Sequence, residues 1–447
     1  MTGLLRKAVA EAVGPDALLP EEEGFGNHGG DAEGGGRPVV AAPGSEADVA
    51  RLLERAGEEG WRVLPAGLGS WLEGGGRAEA DLVLSTRRLD GLDVYEPADL
   101  TFTAGAGMSM ERLSRLTAAE GQWLPLDPPG WREGSLGAVT ALGVGGPLRH
   151  AYGTPRDHVL GLTLVTGDGR ILRWGGRVVK NVAGFDLTRL SVGSWGALGV
   201  ITSVSARLFP LPDRDVTLLL TGCDAHELRE TVGHVARSSL PLAALELLDP
   251  LPEGAGLPGG AGVAIRLLGT RAQIRGMEAG LEKEVPDLAG TRTTLRLEGK
   301  ASRDLHLRLS RWEEGAALVL RLSLLSSRLP ALVERARELT LELAGGDGGD
   351  AEMRLSAHVG AGILRAAFRR APSGEEGTET ERWSRVLGGL RRELEKEGGS
   401  LVVSSGPPEL VRRVGPWGGM GGEKALVSGL RREFDPRGTL ATVRFSS

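Results

Sequence analysis

The sequence predicts a protein of the α+β class with two domains. The chain has 447 residues, which is more than one hydrophobic core usually supports. Before about residue 213, short apolar strands alternate with glycine-rich turns, whereas after it apolar strands alternate with charged helices. The second order of elements favours an antiparallel sheet that helices cover on one face.

The chain divides into four predicted segments. Residues 1–36 hold a short amphipathic helix and then an acidic, glycine-rich stretch that we expect to be a mobile surface segment. Residues 37–213 form the first domain and residues 214–430 the second. We expect the tail, residues 431–447, to return to the first domain.

The first domain opens with a predicted strand, helix and strand. A short apolar strand at 39–41 leads to Ser45, and Asp48 three residues later is typical of a helix N-terminus. Apolar residues then recur at helical spacing, and Gly57 and Gly60 are predicted to end the helix. The second strand starts at Arg62 and leads into the glycine loop PAGLGS, residues 65–70.

The remaining elements are read from the same patterns. Four more strand-rich stretches follow up to residue 213, and the sequence GDG at 167–169 predicts a hairpin. In the second domain, the apolar runs VTLLLTG, GVAIRLLG, TTLRLEG and ALVLRLSLL predict strands. Charged segments with helical periodicity lie between these runs, for example TRAQIRGMEAGLEKEV and ETERWSRVLGGLRRELEKE.

Composition excludes several classes of function. A net charge of −6 argues against a nucleic-acid partner, which requires a basic surface. The single cysteine, Cys223, cannot form an internal disulfide or hold an iron–sulfur cluster, and it fits a reducing cytoplasm. No stretch has the ~18–20 apolar residues of a membrane span, and the N-terminus does not have the pattern of a signal peptide.

Three segments rich in small residues are candidates for binding one elongated ligand. They are the loop PAGLGS, the stretch GSLGAVTALGVGG at 134–146 and the stretch GFDLTRLSVGSWGALGV at 184–200. Consecutive backbone N–H groups in a loop such as PAGLGS can bind a pyrophosphate. Three unrelated tight turns are the alternative. Neither a P-loop motif nor a convincing G-x-G-x-x-G motif in a βαβ unit is present, so a Rossmann domain is not expected.

These segments resemble the FAD-binding domain of the vanillyl-alcohol oxidase/PCMH flavoprotein superfamily. The motifs LPLDPP, GGRVVKNVAGFDLTRL and the late FDPRG are similar in particular to the family of FAD-binding E subunits of bacterial glycolate oxidases. The resemblance is dense over residues 37–213 and thin afterwards. It implies a PCMH-type two-part FAD-binding domain followed by an α+β cap domain with an antiparallel sheet.

The resemblance also implies which residues contact FAD. It assigns the pyrophosphate to residues 66–70, the flavin and its ribityl chain to residues of 135–157, and the adenine end to residues 196–201. The candidates are Ala66, Gly67, Leu68, Gly69, Ser70, Ser135, Gly137, Ala138, Ala141, Gly153, Asp157, Gly196, Gly199, Val200 and Ile201. Many relatives attach FAD covalently through a histidine where this chain has Ser70, so we expect non-covalent binding.

The catalytic candidates come from SAHVGAGILR, residues 356–365. Catalytic relatives carry a motif like H-x-G-D-G-N-x-H there, which helps to hold a divalent metal. Only His358 remains of it, with Ala361, Ile363 and Arg365 at the other three positions, and we therefore predict no metal site. Arg365 could hold a substrate carboxylate, although the alternative, an arginine on the solvent face of a strand, is the simpler interpretation.

The function that the resemblance implies is that of an FAD-binding subunit in a glycolate, or 2-hydroxy-acid, oxidase or dehydrogenase complex. The expected partners are a catalytic flavoprotein subunit and an iron–sulfur subunit, and the expected location is the cytoplasm, with membrane contact only through partners. A stand-alone FAD-dependent 2-hydroxy-acid dehydrogenase is one alternative. A structural partner that has lost the flavin is the other.

Overall fold

The computed structural model describes most of the chain. The described residues are 2–20, 25, 37–72, 74, 78–176, 186–221, 225–252, 260–284, 293–344, 352–372, 377–419 and 423–441. The described ranges leave out the predicted mobile segment (apart from Phe25), the stretch KNVAGF at 180–185, Cys223 and residues 345–350.

The N-terminal part forms a small parallel sheet with two helices. Its elements are α1 (Thr2–Val13), β1 (Val39–Ala41), α2 (Glu46–Glu59), β2 (Val63–Ala66) and β3 (Leu82–Ser85), with strand order β1-β3-β2. The predicted cap of α2 is confirmed, because the Ser45 hydroxyl accepts a hydrogen bond from the Asp48 amide at 3.1 Å. The helix ends at Gly60 in the left-handed conformation. Gly57 lies inside the helix, contrary to prediction, where a Cβ would come within 3.0 Å of Arg437.

A second, antiparallel sheet follows, with strand order β4-β5-β9-β7-β8. The elements are β4 (Leu92–Glu96), β5 (Thr101–Gly105), α3 (Met110–Ala118), β6 (Gln122–Trp123), α4 (Leu136–Leu142), α5 (Arg149–Tyr152), α6 (Pro155–His158), β7 (Val159–Val165), β8 (Ile171–Gly175), α7 (Leu187–Ser191), β9 (Val200–Arg207) and β10 (Phe209–Pro210). The hairpin predicted at 167–169 joins β7 and β8. Helices α4 to α7 are of four to seven residues, too short to show helical periodicity in the sequence.

The C-terminal part is built on a larger antiparallel sheet, with strand order β14-β11-β13-β12-β16-β17-β15-β18 among the described residues. Its elements are β11 (Arg214–Thr221), α8 (Ala225–Ala236), β12 (Ala244–Asp249), β13 (Gly262–Gly269), α9 (Arg271–Glu284), β14 (Thr293–Glu298), α10 (Lys300–Ser310), β15 (Leu318–Ser323), α11 (Leu329–Ala344), β16 (Met353–His358), β17 (Ile363–Phe368), α12 (Thr378–Lys396), β18 (Ser400–Ser405) and α13 (Pro408–Val414). The predicted antiparallel sheet is confirmed.

The two faces of this large sheet differ in polarity. Because side chains alternate along a strand, one face collects apolar residues such as Leu320 and Phe368, which form a core with α9, α11 and α12. The opposite face carries polar residues, including Glu246, His358 and Arg365, all of them buried. Helix α5 of the N-terminal part packs against β12 on that side. The polar face is therefore an internal surface between the two parts of the chain.

The C-terminal end lies against the N-terminal part. Helix α14 (Lys424–Phe434) places Phe434 in the core of the second sheet, next to Trp174. Further on, the Ala441 amide donates to the Val63 carbonyl at 2.8 Å. Within the described ranges, no helix is long and apolar enough to cross a membrane.

Candidate functional site

A cleft opens where β2, α4 and the turn before β9 meet. It encloses about 110 Å³ and is open to solvent. Ten of the residues selected from the sequence line it: Ala66, Gly67, Ser70, Gly137, Ala138, Ala141, Gly196, Gly199, Val200 and Ile201. The fold therefore brings the three small-residue segments to one place.

The loop at 65–70 leaves β2 and exposes several backbone N–H groups that have no partner in the described part of the chain. Among the described residues, the amides of residues 67–70 donate no hydrogen bond. The loop is held from its other side, since Ser85 Oγ donates to the Gly67 carbonyl at 2.7 Å and Ser70 Oγ donates to the Glu133 carbonyl at 2.9 Å. A fixed loop with several unpaired N–H groups suits an anionic group such as a pyrophosphate.

Helix α4 forms the second wall. Ser135 caps it by accepting a hydrogen bond from the Ala138 amide at 3.2 Å. Gly67 approaches this cap so closely that a Cβ there would lie 2.1 Å from Ser135 Oγ, and a Cβ on Gly137 would lie 2.6 Å from the Cβ of Ala106. Small residues at these positions are therefore required to bring the loop, helix and β5 together.

The turn before β9 is the third wall. Trp195 and Gly196 both have positive φ, 55° and 75°. Gly199 is at φ 153° and fits against β7, where a Cβ would meet the Val165 carbonyl at 2.5 Å. These glycines therefore have two effects: they allow the turn to pack closely against the neighbouring strand, and they leave the cleft open.

The other selected residues do not line the cleft. Ser135 is fully buried behind it, and Gly69 lines a neighbouring cavity, with the ring of Phe25 packed on it. Asp157 caps α6 by accepting from the Thr154 amide at 2.8 Å, and Gly153 lies beside Asp157. Leu68 lines none of the cavities described here.

A second cavity, which we call the cap cavity, continues the cleft toward the large sheet. It encloses about 380 Å³. It shares five lining residues with the cleft, namely Trp71, Leu72, Gly74, Leu142 and Trp195. From the C-terminal part it adds Glu313, Arg321, Arg365, Val402, Ser404, Ser405 and Trp417. The two cavities form one elongated site whose far end is polar.

Arg365 lies at this polar end and is only 5% exposed, so the expectation of a solvent-facing arginine is wrong. The strand face that carries it is covered by the N-terminal part rather than by water. Its guanidinium donates to Glu313 Oε1 at 3.2 Å and to Ser356 Oγ at 3.4 Å. Its Nε is buried without a hydrogen-bond partner among the described residues, which leaves donor capacity for a ligand.

His358 shares the polar face but does not line the cap cavity. Its Nδ1 lies 2.7 Å from Glu246 Oε2. Burial lowers the pKa of His358 well below its ordinary value and raises the pKa of Glu246 well above its own. Burial thus disfavours the charged form of each group, and the two side chains share a hydrogen bond. No cluster of metal-ligating side chains is found in the described part of the chain.

Several residues of the site and of the polar sheet face were missed from the sequence. Arg321, which lines the cap cavity, and Glu246, which pairs with His358, each interrupt an apolar strand, in ALVLRLSLL and ALELL. Charged residues at alternate positions of apolar strands were the available signal that this sheet face is polar. Trp71, Trp195 and Trp417 carried no such signal, because their role depends on loop packing.

Comparison with known proteins identifies the N-terminal part. The model of the FAD binding domain family matches residues 38–175, which include the loop 65–70 and helix α4. Residues 38–175 form an FAD-binding domain. FAD is therefore the cofactor that this match supports, and the loop 65–70, which lies inside the matched residues, has the unpaired amides that suit a pyrophosphate.

Curated relatives match less than half of this chain. Glycolate oxidase subunit GlcE of Escherichia coli is 41% identical over 144 residues, which is 32% of this chain and 41% of the relative. Glycolate oxidase subunit GlcD of Bacillus subtilis is 33% identical over 212 residues, 47% of this chain and 45% of the relative. D-lactate dehydrogenase of Archaeoglobus fulgidus is 36% identical over 213 residues, 47% of each chain. The matches span less than half the length of these relatives.

A solved structure extends the fold comparison to nearly the whole chain. Alkyldihydroxyacetonephosphate synthase aligns with a TM-score of 0.71 and 16% identity, over 98% of this chain and 84% of that one. At this identity the likeness concerns the fold alone. The predicted fold class, an FAD-binding domain followed by an α+β cap, is confirmed.

Proposed function

We propose that this chain is the FAD-carrying subunit of a glycolate, or more generally 2-hydroxy-acid, oxidase or dehydrogenase complex. The observation that carries the proposal is that the cofactor cleft runs into a cap cavity with two arginines at its far end. Relatives named as glycolate oxidase subunits and as a D-lactate dehydrogenase support it.

The arginines Arg321 and Arg365 suit a substrate carboxylate. A guanidinium presents several donors in a planar fork that matches a carboxylate. Glu313, 76% buried at its side chain, holds one edge of Arg365 and leaves its Nε for another acceptor. A 2-hydroxy acid anchored in this way would direct its hydroxyl-bearing carbon away from the arginines, toward the cleft.

FAD bound in the cleft would supply a hydride acceptor for the oxidation of that carbon. The chain's own contribution would be to orient the substrate and to exclude water, which Trp71, Trp195 and Trp417 favour by lining the cap cavity with apolar rings. Trp195 and Trp417 are in edge-to-face contact, with ring centroids 4.7 Å apart, an arrangement that fixes both rings.

The proposed partners follow from what this chain lacks for onward electron transfer. Its single cysteine cannot hold an iron–sulfur cluster. We therefore assign the later electron carriers to other chains, an iron–sulfur subunit and a second, catalytic flavoprotein subunit. The two arginines at the end of the cap cavity would let this chain bind a substrate by itself. They therefore favour one competing assignment, a dehydrogenase that works without partners.

One experiment tests the proposal and separates these assignments. The purified chain is examined by visible absorption before and after acid precipitation, and then during anaerobic addition of glycolate or D-lactate. We expect a yellow protein that releases all its flavin into the acid supernatant, which is the mark of non-covalent binding.

The response to substrate then decides the role. We expect the flavin to bleach fully only when the two partner subunits are added. Rapid bleaching of the isolated chain would establish the stand-alone dehydrogenase. A colourless chain that takes up no added FAD would overturn both assignments.

A further inference from the structure

A third cavity lies between the two parts of the chain, and we call it the interunit chamber. It encloses about 430 Å³, and none of its described lining residues lines the cleft or the cap cavity. The segment 127–131 separates it from the cap cavity, since Pro128 and Pro129 line the latter while Asp127 and Trp131 line the chamber. Its other walls are α3, α10 and the ends of β11 and β13.

The wall of the chamber is mainly aliphatic. The apolar side chains include Met110, Leu113, Leu124, Leu126, Leu148 and Leu307. A volume of this size is within the ~300–1,000 Å³ typical of small-molecule sites. Such a wall would favour a flexible hydrocarbon chain, because each methylene group moved out of water gains free energy.

The charged groups on the floor of the chamber are already paired. Arg266 donates to both carboxylate oxygens of Asp215, at 3.1 and 2.7 Å, and Ser302 Oγ donates to the same aspartate at 2.6 Å. Asp127 accepts a hydrogen bond from the Leu148 amide at 3.1 Å. The floor therefore does not require a charged group from a ligand.

The mouth of the chamber is different. Arg132 and Arg303 both line it and are exposed, and within the described residues neither forms an ion pair. Across the whole lining, three arginines stand against two aspartates. An anionic group is the complement of such a rim.

We propose that the interunit chamber binds an anionic amphiphile, with its anionic head group, a carboxylate or a phosphodiester, at Arg132 and Arg303 and an unbranched alkyl chain inside. This site is separate from the flavin cleft and does not depend on the proposed function. The alkyl chain could belong to a free fatty acid or to an acidic lipid of a bilayer, and the experiment distinguishes these sources.

The first test is calorimetric titration of the flavin-containing protein with hexanoate, octanoate and decanoate below their micelle concentrations. Affinity is expected to rise roughly three- to fourfold for each added methylene group, the equivalent of burying it. The proposal would be overturned if decanoate showed no detectable binding at millimolar concentration, or if affinity did not change with chain length across the three acids.

Two matched variants locate the site. Ala118 is exposed on α3 and lines the chamber, whereas its neighbour Ala119 is exposed and does not. Ala118→Trp is expected to reduce decanoate affinity at least tenfold, and Ala119→Trp to leave it unchanged. Equal binding by both variants would refute the assignment. Unchanged flavin absorbance in both would show that the fold and the cofactor site are intact.

The head-group contact and the source of the ligand are tested separately. Arg303→Gln should lower the affinity for decanoate at least fivefold and leave the affinity for decanol, which has no charged head group, unchanged. An equal loss of affinity for both ligands would contradict a contact between Arg303 and the head group. Flotation with dioleoylphosphatidylglycerol vesicles then distinguishes the sources. Vesicle binding that Ala118→Trp abolishes indicates a bilayer lipid, and decanoate binding without vesicle binding indicates a free fatty acid.

Discussion

Arg321 and Arg365 stand directly opposite each other on the neighbouring antiparallel strands β15 and β17, and both line the cap cavity. Like charges in directly opposite positions of a sheet destabilise it. Glu313 compensates for part of this charge through its 3.2 Å contact with Arg365. A ligand carboxylate placed between the two guanidinium groups would accept hydrogen bonds from both of them.

The first prediction concerns these arginines. We expect Arg321→Gln and Arg365→Gln each to raise the KM for the 2-hydroxy acid by roughly 10- to 150-fold, because a hydrogen bond to a charged group contributes about 1.5–3 kcal/mol. The measurement is the substrate dependence of flavin reduction in the assembled complex, with the FAD content of each variant determined first.

Arg354→Gln is the control for the arginine variants. Arg354 is in β16 of the same sheet, but its guanidinium lies over the ring of Trp312, outside the cap cavity. We expect its KM to match that of the wild type. The carboxylate assignment would be abandoned if Arg354→Gln raised KM as much as the two cavity variants did.

The second prediction concerns metal dependence. Because two arginines stand at the substrate end and the described residues provide no cluster of metal ligands, we expect dialysis against EDTA to leave the rate of flavin reduction by substrate unchanged. The assay compares dialysed and undialysed complex. A rate that falls on dialysis and recovers when Zn²⁺ or Mn²⁺ is added would show that a metal takes part.

Much of the fold could be predicted from local patterns. Ser45 and Asp48 marked the start of α2, and the glycines at 167 and 169 marked the β7–β8 hairpin. Gly60 ends α2 as predicted, whereas Gly57, which was also predicted to end it, lies inside the helix and packs closely on Arg437 and Thr439, about 380 residues away in sequence. A close approach of this kind leaves no trace in the local sequence.

The site was predictable where backbone conformation decides it. The small residues of the cleft were found because glycine and alanine segments indicate close packing. The exposure of Arg365 was predicted wrongly because an alternating strand does not show whether its polar face meets water or another domain. The packing of α5 on β12 of the large sheet, which an isolated strand pattern does not reveal, helps to make that face internal.

The third prediction tests the packing of the loop at 65–70, which we propose holds the pyrophosphate of FAD. In Gly67→Ala the new Cβ would lie 2.1 Å from Ser135 Oγ, so Ser135 must leave its capping position at α4, which costs about 1 kcal/mol, and the loop must shift. We expect the purified variant to contain much less FAD than the wild type. The FAD content is measured as the absorbance of the flavin band divided by the absorbance of the protein band. Addition of excess FAD should restore only part of it.

Gly276→Ala is the control for this substitution. Gly276 lies inside α9, and a Cβ there meets nothing within 4 Å. Replacing a helix-interior glycine with alanine stabilises by about 0.5–1 kcal/mol. We expect full FAD content in this variant, and the packing argument would fail if Gly67→Ala retained as much FAD as Gly276→Ala.

The fourth prediction concerns the pH dependence of stability. Burial raises the pKa of Asp127 from 3.8 to about 7, against the opposing effect of Arg266. Below pH 3.8 the carboxyl is protonated in both the folded and the unfolded chain, so it does not oppose folding there. As the pH rises from about 4 toward 7, only the unfolded chain releases the proton, and stability falls by up to about 4 kcal/mol.

Asp127→Asn keeps an oxygen for the Leu148 amide but cannot ionise. Its stability relative to the wild type should therefore increase between about pH 4 and 7 and change little above that range. Urea unfolding midpoints measured at several pH values test this, with the exposed Asp99→Asn as the control, and a constant difference between Asp127→Asn and the wild type would refute it.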